Sequence, residues 1–188
     1  MRGPRRGEAC GIRREDLDLD VKAGKGYARI AQTILEVDGK IVVDTPKSLA
    51  SRRTVAFDRG TVEMFPAHLN RLRRERLAAG EAYQDHGLVF CREDGRPLVP
   101  SWVSKHFKEL AREAGLPPIT LHEGRHTAAS IALEAGVPIK VVSDGHGHST
   151  TRITQDLYTH VRPALHDEAA AAIATLVGNA RDKERASS

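Results

Sequence analysis

Four residues in the second half of the sequence have side chains that could together act on a phosphodiester: His122, Arg125, His148 and Tyr158. A tyrosine hydroxyl can attack phosphorus, and phosphoryl transfer depends on positioning and on neutralising charge on the non-bridging oxygens. An arginine guanidinium stays protonated and binds phosphate through two parallel hydrogen bonds. Histidines can donate to the same oxygens or help move the tyrosine proton. These residue types favour phosphoryl transfer to Tyr158, with no metal ion or cofactor required.

The segment around Arg125 is predicted to begin a helix. Thr120 and Glu123 have the spacing of a capping box, which predicts a helix from about residue 121 to Glu134. His122 and Arg125 are three residues apart, so they point to one side of that helix. The other two residues follow in predicted turns and helices, with Tyr158 ten positions after His148.

The order of these motifs resembles the tyrosine recombinase family, also called the phage integrase family. The matching segments, in chain order, are Arg5-Arg-Gly-Glu, Asp44-Thr-Pro-Lys-Ser, His122-Glu-Gly-Arg-His-Thr, Gly147-His-Ser and Tyr158-Thr-His-Val. Carried over position by position, the resemblance implies six catalytic residues: Arg5, Lys47, His122, Arg125, His148 and Tyr158. Lys47 would protonate the leaving 5′ oxygen, and Lys25 and Lys40 are alternatives for that role.

The resemblance implies a site-specific recombinase or integrase. Such an enzyme cleaves and rejoins double-stranded DNA attachment sites through a covalent 3′-phosphotyrosyl intermediate, as a homotetramer on DNA. The alternative is an inactive integrase remnant that retains only a DNA-binding fold. Neither hypothesis includes a small-molecule substrate.

A third hypothesis comes from the segment His122-Glu-Gly-Arg-His126, which matches the His-Glu-x-x-His pattern of zinc proteases. Histidines at positions i and i+4 of a helix can bind Zn²⁺, with the glutamate as base. Candidates for a third ligand are His146, His148 and His160. This hypothesis is disfavoured because a glycine and a fixed cation lie beside the supposed metal, and because it leaves the other motifs unexplained.

The patterning predicts an α+β fold, mainly helical, with a small three-stranded antiparallel sheet near the N-terminus. The residues assigned to the sheet are 27–35, 40–44 and 52–57, with a hairpin turn at Asp38-Gly39 and a strand entry near Asp16. Helical spacing of apolar residues predicts helices over 5–12, 61–79, 101–114 and 121–134, another that opens at 138, and a last one over 164–177.

We assign residues 1–178 to a recombinase catalytic domain and residues 179–188 to a polar, disordered tail. Members of the family carry a DNA-clamp domain upstream, so the chain is expected to be truncated at its N-terminus. Pro4, Gly124 and Gly145 stand where the family has larger residues. A glycine within a helix costs up to about 1 kcal/mol relative to alanine, so we expect Gly124 to destabilise its helix.

Composition is consistent with a cytoplasmic DNA-binding protein. The 188 residues carry a formal net charge of +4, a basic balance compatible with nucleic acid. Cys10 and Cys91 are far apart in sequence, which predicts free thiols in a reducing compartment. The longest apolar stretch, over 169–177, is too short to cross a membrane.

Overall fold

A computed structural model of the 188-residue chain describes residues 3–45 and 53–147. Lys47, His148 and Tyr158 lie outside the described residues, as do the predicted last helix and tail. In chain order the elements are α1 (Arg6–Cys10), β1 (Leu17–Asp20), β2 (Lys25–Arg29), β3 (Thr33–Val37), β4 (Lys40–Asp44), β5 (Thr54–Phe57), α2 (Arg59–Ala79), α3 (Pro100–Glu113), α4 (Leu121–Glu134) and α5 (Ile139–His146). The predicted α+β class, with a small antiparallel sheet followed by helices, is confirmed.

The three-stranded sheet has the order β1-β2-β5, and both pairings are antiparallel. Its central strand pairs Ala28 with Leu17 on one side and with Val55 on the other. Ala28 and Val55 face α2 and join a buried cluster whose other members are Ile12, Ile30, Phe65 and Val89. The sheet therefore supplies one wall of the main core, and α2 supplies the other.

The membership of the sheet differs from the prediction. The run 27–35 divides into two strands, and β3 pairs only with β4, as a separate two-stranded hairpin. The hairpin turns at Asp38 and Gly39, both of which have positive φ, as the sequence predicted. The strand near Asp16 instead completes the sheet as β1. Continuous apolar runs cannot reveal such a division, because periodicity does not show where a strand changes partner.

The short helix α1 is fixed against the hairpin and α3. A Cβ atom at Gly7 would lie 2.5 Å from the main-chain oxygen of Ile34, so only glycine permits this close approach of helix to strand. Cys10 and Ile34 belong to a second buried cluster with Leu72, Leu88 and Cys91. Arg5, immediately before α1, is thereby fixed relative to the hairpin and α3.

Helices α4 and α5 pack on each other through a third cluster formed by Ala129, Leu133 and Val142. The predicted capping box is present at the start of α4. The Thr120 main-chain N–H donates to the Glu123 carboxylate at 2.6 Å, and the Glu123 N–H donates to the Thr120 hydroxyl at 3.1 Å. Within the described residues, no helix is long and apolar enough to cross a membrane.

The contribution of the second cluster can be measured on α2. We expect Leu72→Ala to lower the free energy of unfolding by about 2–5 kcal/mol, because a buried side chain leaves a cavity. Leu77 lies on the same helix with 81% of its surface exposed. Leu77→Ala should therefore change stability by less than about 0.5 kcal/mol. Urea denaturation of both variants tests this, and equal losses would contradict the assigned packing.

Candidate active site

Arg125 is positioned by the second turn of α4, where its guanidinium is partly buried. Its Nη1 donates to the main-chain oxygen of Gly3, and its Nη2 donates to that of His146. The first contact reaches the N-terminal segment and the second reaches the end of α5. One arginine therefore connects three parts of the chain that are distant in sequence.

Arg5 immediately precedes α1 and faces the same end of α5. Its Nη2 donates to the main-chain oxygen of Gly147 at 2.8 Å, and its Nη1 donates to Glu8 Oε1 at 3.0 Å. Its main-chain N–H also donates to Glu8 Oε2, at 2.5 Å. The structure thus brings the predicted phosphate ligands Arg5 and Arg125 onto adjacent carbonyl groups, directly before His148 in the sequence.

A third arginine, which was not predicted to take part, completes this arrangement. Arg53 lies just before β5, and its Nε donates to the main-chain oxygen of Gly145 at 3.1 Å. Its two terminal nitrogens donate to the two oxygens of Glu8 at 3.0 and 2.8 Å. The last carbonyl groups of a helix have no partner within the helix and carry partial negative charge, so cations are favoured there.

Glu8 is the buried carboxylate that holds Arg5 and Arg53 together. Its side chain is only 7% exposed. Burial acts to raise its pKa, but the hydrogen bonds and charge of Arg53 and the hydrogen bonds of Arg5 outweigh burial, so the pKa is lowered. A buried carboxylate that accepts from two guanidinium groups remains ionised at neutral pH.

Positive charge nevertheless predominates around Arg125. Burial, together with the charges of Arg5 and Arg53, lowers the pKa of Arg125 to about 10, which leaves it protonated at neutral pH. The cluster contains three guanidinium groups and one carboxylate, that of Glu8, which binds Arg5 and Arg53, so the cluster carries excess positive charge. A guanidinium has five N–H donors, and the bonds to Gly3 and His146 use two of those of Arg125. The arrangement suits a phosphate or another tetrahedral oxyanion.

His122 lies on the exposed surface of α4, one turn before His126. The two Nε2 atoms are 2.8 Å apart and the rings are nearly perpendicular, so one ring donates a hydrogen bond to the other. Burial and the charges of His122 and Arg125 lower the pKa of His126. His126 is therefore neutral at pH 7 and can exchange a proton with His122 through this bond.

The zinc hypothesis gains no support from this geometry. The Glu123 carboxylate, which would be the base, accepts a hydrogen bond from the Thr120 N–H and caps α4. His146 was a candidate third ligand, but it is buried and its Nδ1 donates to the Val142 carbonyl at 3.0 Å. Across residues 3–45 and 53–147, no three His, Cys, Asp or Glu side chains lie close enough together to hold a metal ion. The other two candidate ligands, His148 and His160, lie outside the described residues.

The structure therefore brings Arg5 and Arg125 together and places His122 one turn from Arg125. Lys47, His148 and Tyr158 fall outside the described residues, and their roles stay predictions. Sequence reasoning missed Arg53 as a site residue, although it lies within the predicted strand 52–57. The available signal was an arginine at the start of an apolar strand. Arginine contributes little to the packing of a strand, so its presence there could have indicated a functional role.

The sequence matches the phage integrase family over residues 2–164. The chain belongs to this family. Among curated members, it is 37% identical over 169 residues to a tyrosine recombinase XerC-like protein of Caldanaerobacter subterraneus subsp. tengcongensis, a match that covers 86% of this chain and 43% of that protein. It is 35% identical over 123 residues to an integrase of Streptomyces ambofaciens, covering 63% and 32% respectively. The chain thus spans less than half the length of these integrase family members.

Solved structures share the fold of this chain. The Tn1549 transposon integrase, in complex with transposon right end DNA, superposes with a TM-score of 0.70 and 22% sequence identity, covering 92% of this chain and 55% of that one. The XerA recombinase superposes with a TM-score of 0.62 and 22% identity, covering 91% and 52%. At this level of identity the likeness concerns the fold.

Two glycines of this integrase family chain are expected to respond oppositely to alanine. A Cβ atom at Gly124 would meet Phe107 at 3.8 Å, an ordinary contact, so Gly124→Ala should stabilise the protein by up to about 1 kcal/mol. Gly147 has φ +60°, and its Cβ atom would lie 2.6 Å from Arg53 Nη1, so Gly147→Ala should destabilise it. Thermal unfolding of both variants tests this. Stabilisation by Gly147→Ala would contradict the described site.

The Glu8 cluster should make stability depend on pH. Because the pKa of Glu8 is lowered from 4.5 in the folded state, its contribution is present above pH 4.5 and is lost as the pH falls through the folded pKa. We expect Glu8→Gln to cost about 3–5 kcal/mol at pH 7. That difference from the wild type should shrink steadily below pH 4.5.

Urea denaturation between pH 3 and pH 7 measures this difference directly. Glu113→Gln removes one exposed carboxylate at the end of α3 and controls for the change in net charge. A Glu8→Gln deficit that stayed constant at every pH would show that the carboxylate charge does not stabilise the cluster.

Proposed function

We propose that this chain carries the catalytic part of a tyrosine-type site-specific recombinase, which cleaves and rejoins DNA through a 3′-phosphotyrosyl intermediate. The observation that carries the proposal is the convergence of Arg5 and Arg125 on neighbouring carbonyl groups at the end of α5. Membership of the phage integrase family supports the same reaction. A relative of known structure, the Tn1549 integrase, is in complex with transposon end DNA, and we infer double-stranded DNA attachment sites as the substrate here.

In the proposed cleavage step, the Tyr158 oxygen attacks the scissile phosphorus in line. The bond from phosphorus to the 5′ oxygen breaks, and Lys47 protonates that oxygen as it leaves. The tyrosine proton passes to His122 or His148. In the reverse sense, a 5′ hydroxyl attacks the phosphotyrosyl bond, Tyr158 leaves, and the DNA is rejoined. The covalent bond conserves the energy of the phosphodiester, so no nucleotide triphosphate is consumed.

Arg5 and Arg125 would bind the non-bridging oxygens as negative charge develops on them. Donors held rigidly by neighbouring groups lose little energy to reorganisation, and removal of one such donor typically costs about 10²–10³-fold in rate. His122, one turn before Arg125 on α4, adds a further hydrogen-bond donor. The His122–His126 hydrogen bond offers a route by which a proton can leave the site.

We further propose that residues 1–178 act as the catalytic domain and that four copies assemble on two DNA sites. Both proposals rest on the family resemblance. The inactive-remnant alternative predicts that the folded protein forms no adduct with any DNA. An experiment that detects the covalent adduct therefore decides between an active recombinase and an inactive remnant.

Covalent capture tests the proposed function. The protein is incubated with a nicked, random-sequence duplex library, and DNA that stays attached in SDS is sequenced to recover the cleaved site. On a nicked duplex of that site, the wild type should accumulate an adduct, because the nick releases the 5′ end and prevents rejoining. Tyr158→Phe should form none, since it removes the attacking oxygen.

Tyr27→Phe is the matched control, because Tyr27 lies on β2, away from the arginine cluster, and 43% of its surface is exposed. It should form the adduct at the wild-type rate, with or without a chelator. A folded wild type that forms no adduct across the library would refute the enzymatic proposal. Loss of the adduct on chelation would instead favour a metal-dependent reaction.

A further inference from the structure

We propose that Arg53 is a positioning residue for DNA cleavage: it ties Glu8 to the end of α5 and so sets the places of Arg5 and Arg125. This inference rests on the proposed function, since it concerns the phosphate-binding arginines of that site. Arg53 has no assigned role in the family resemblance from which the catalytic residues were predicted. Its placement follows from contacts within the described residues alone.

Arg53 is anchored at both its main chain and its side chain. Its carbonyl accepts a hydrogen bond from the Ile30 N–H at 2.9 Å, which extends the pairing of β2 with β5. Its side chain is 7% exposed, whereas that of Arg5 is 48% exposed. Arg5 can therefore contact an incoming phosphate, whereas Arg53 is enclosed and contacts Glu8 and Gly145.

The guanidinium of Arg53 uses all three of its nitrogen atoms in this cluster. Two bind the carboxylate of Glu8 in a fork, at 3.0 and 2.8 Å, and the third binds the Gly145 carbonyl at 3.1 Å. The same two Glu8 oxygens accept the side chain and the main-chain N–H of Arg5. Glu8 therefore transmits the position of Arg53 to Arg5.

Arg53 also sets the path of the chain at the end of α5. The carbonyls of Gly145, His146 and Gly147 accept from Arg53, Arg125 and Arg5 in turn. Gly147 packs so closely on the Arg53 guanidinium that a Cβ atom there would lie 2.6 Å from Nη1. If Arg53 were lost, Gly145 would lose its partner and the two neighbouring carbonyls could shift.

The geometry of the side chain matters here as much as its charge. A lysine ammonium is a point donor on a flexible stem, so it cannot bind both oxygens of Glu8 as a planar fork while reaching the Gly145 carbonyl. Arg53→Lys therefore keeps the charge and removes the fixed geometry. Arg53→Met removes both while keeping an unbranched side chain.

The first measurement separates DNA cleavage from DNA binding in single turnover on the nicked duplex. We expect Arg53→Met to slow adduct formation about 100-fold or more. Arg5 would no longer be held in place, and loss of one preorganised donor costs about that much in rate. The dissociation constant for the same DNA should stay within about threefold, since Arg53 is buried. Arg53→Lys should recover only part of the rate. Arg96→Met, which breaks an exposed pair with Asp94, controls for loss of a surface arginine and should cleave normally.

A double variant tests whether Arg53 acts through Arg5. If it does, Arg5→Ala combined with Arg53→Met should be little slower than Arg5→Ala alone, because the second loss has nothing left to position. A purely structural role would instead multiply the two rate losses, and a lower melting temperature is expected in either case because a buried ion pair is broken. A folded Arg53→Met variant with the wild-type rate, full recovery by Arg53→Lys, or multiplied losses would each overturn the proposal.

Arginine side-chain NMR without DNA distinguishes failure of this inference from failure of the proposed function. In ¹⁵N-arginine-labelled protein, the Arg5 Nε–H signal should shift in Arg53→Lys and Arg53→Met and stay in place in Arg96→Met. Should Arg53→Met fail to fold, the lysine variant carries the test. An unmoved Arg5 signal overturns the inference. A shifted signal in a wild type that forms no DNA adduct upholds the positioning and refutes only the recombinase function.

Discussion

Three successive main-chain carbonyl groups at the end of α5 bind three arginines that come from three separate parts of the chain. Arg53 comes from the start of β5, Arg125 from α4 and Arg5 from the residue before α1. Guanidinium groups so close together repel one another, and they stay together because the helix end and Glu8 supply opposing negative charge. The rest of the described fold can be understood as the scaffold that keeps these groups in place.

Each segment that carries one of the arginines is held by a different buried cluster. The sheet and α2 bury the apolar side chains of the main cluster, and this fixes Arg53 at the edge of β5. The hairpin and the second cluster hold α1, and with it Arg5 and Glu8. The third cluster joins α4 to α5 and so holds Arg125 beside its carbonyl partner. The packing of these three apolar clusters therefore brings the charged groups together.

His146 lies within this cluster of positive charge. It is buried beside Arg125 and Arg53. Burial and the charge of Arg125 lower its pKa, so at neutral pH the ring is uncharged. A neutral ring that donates to the Val142 carbonyl fills the space without adding a fourth positive charge.

The sequence by itself determined the local elements and the family. The Thr120–Glu123 capping box, the turn at Asp38 and Gly39, and the helical spacing of apolar residues over 61–79 and 101–114 are local patterns, and each appears in the structure where it was predicted. Arg5, His122 and Arg125 were recognisable because their motifs keep a fixed order along the chain. Lys47, His148 and Tyr158 were named by the same reasoning and stay predictions.

Only the tertiary structure decided which strands form one sheet and which groups hold the arginines. The run 27–35 reads as one apolar strand, yet β2 pairs with β5 while β3 turns away to pair with β4. Glu8 and Arg53 are 45 residues apart, and the contact of Arg53 with Gly145 spans 92 residues. Local patterns arise from neighbours a few residues apart, whereas a buried ion pair exists only where distant segments pack and exclude water.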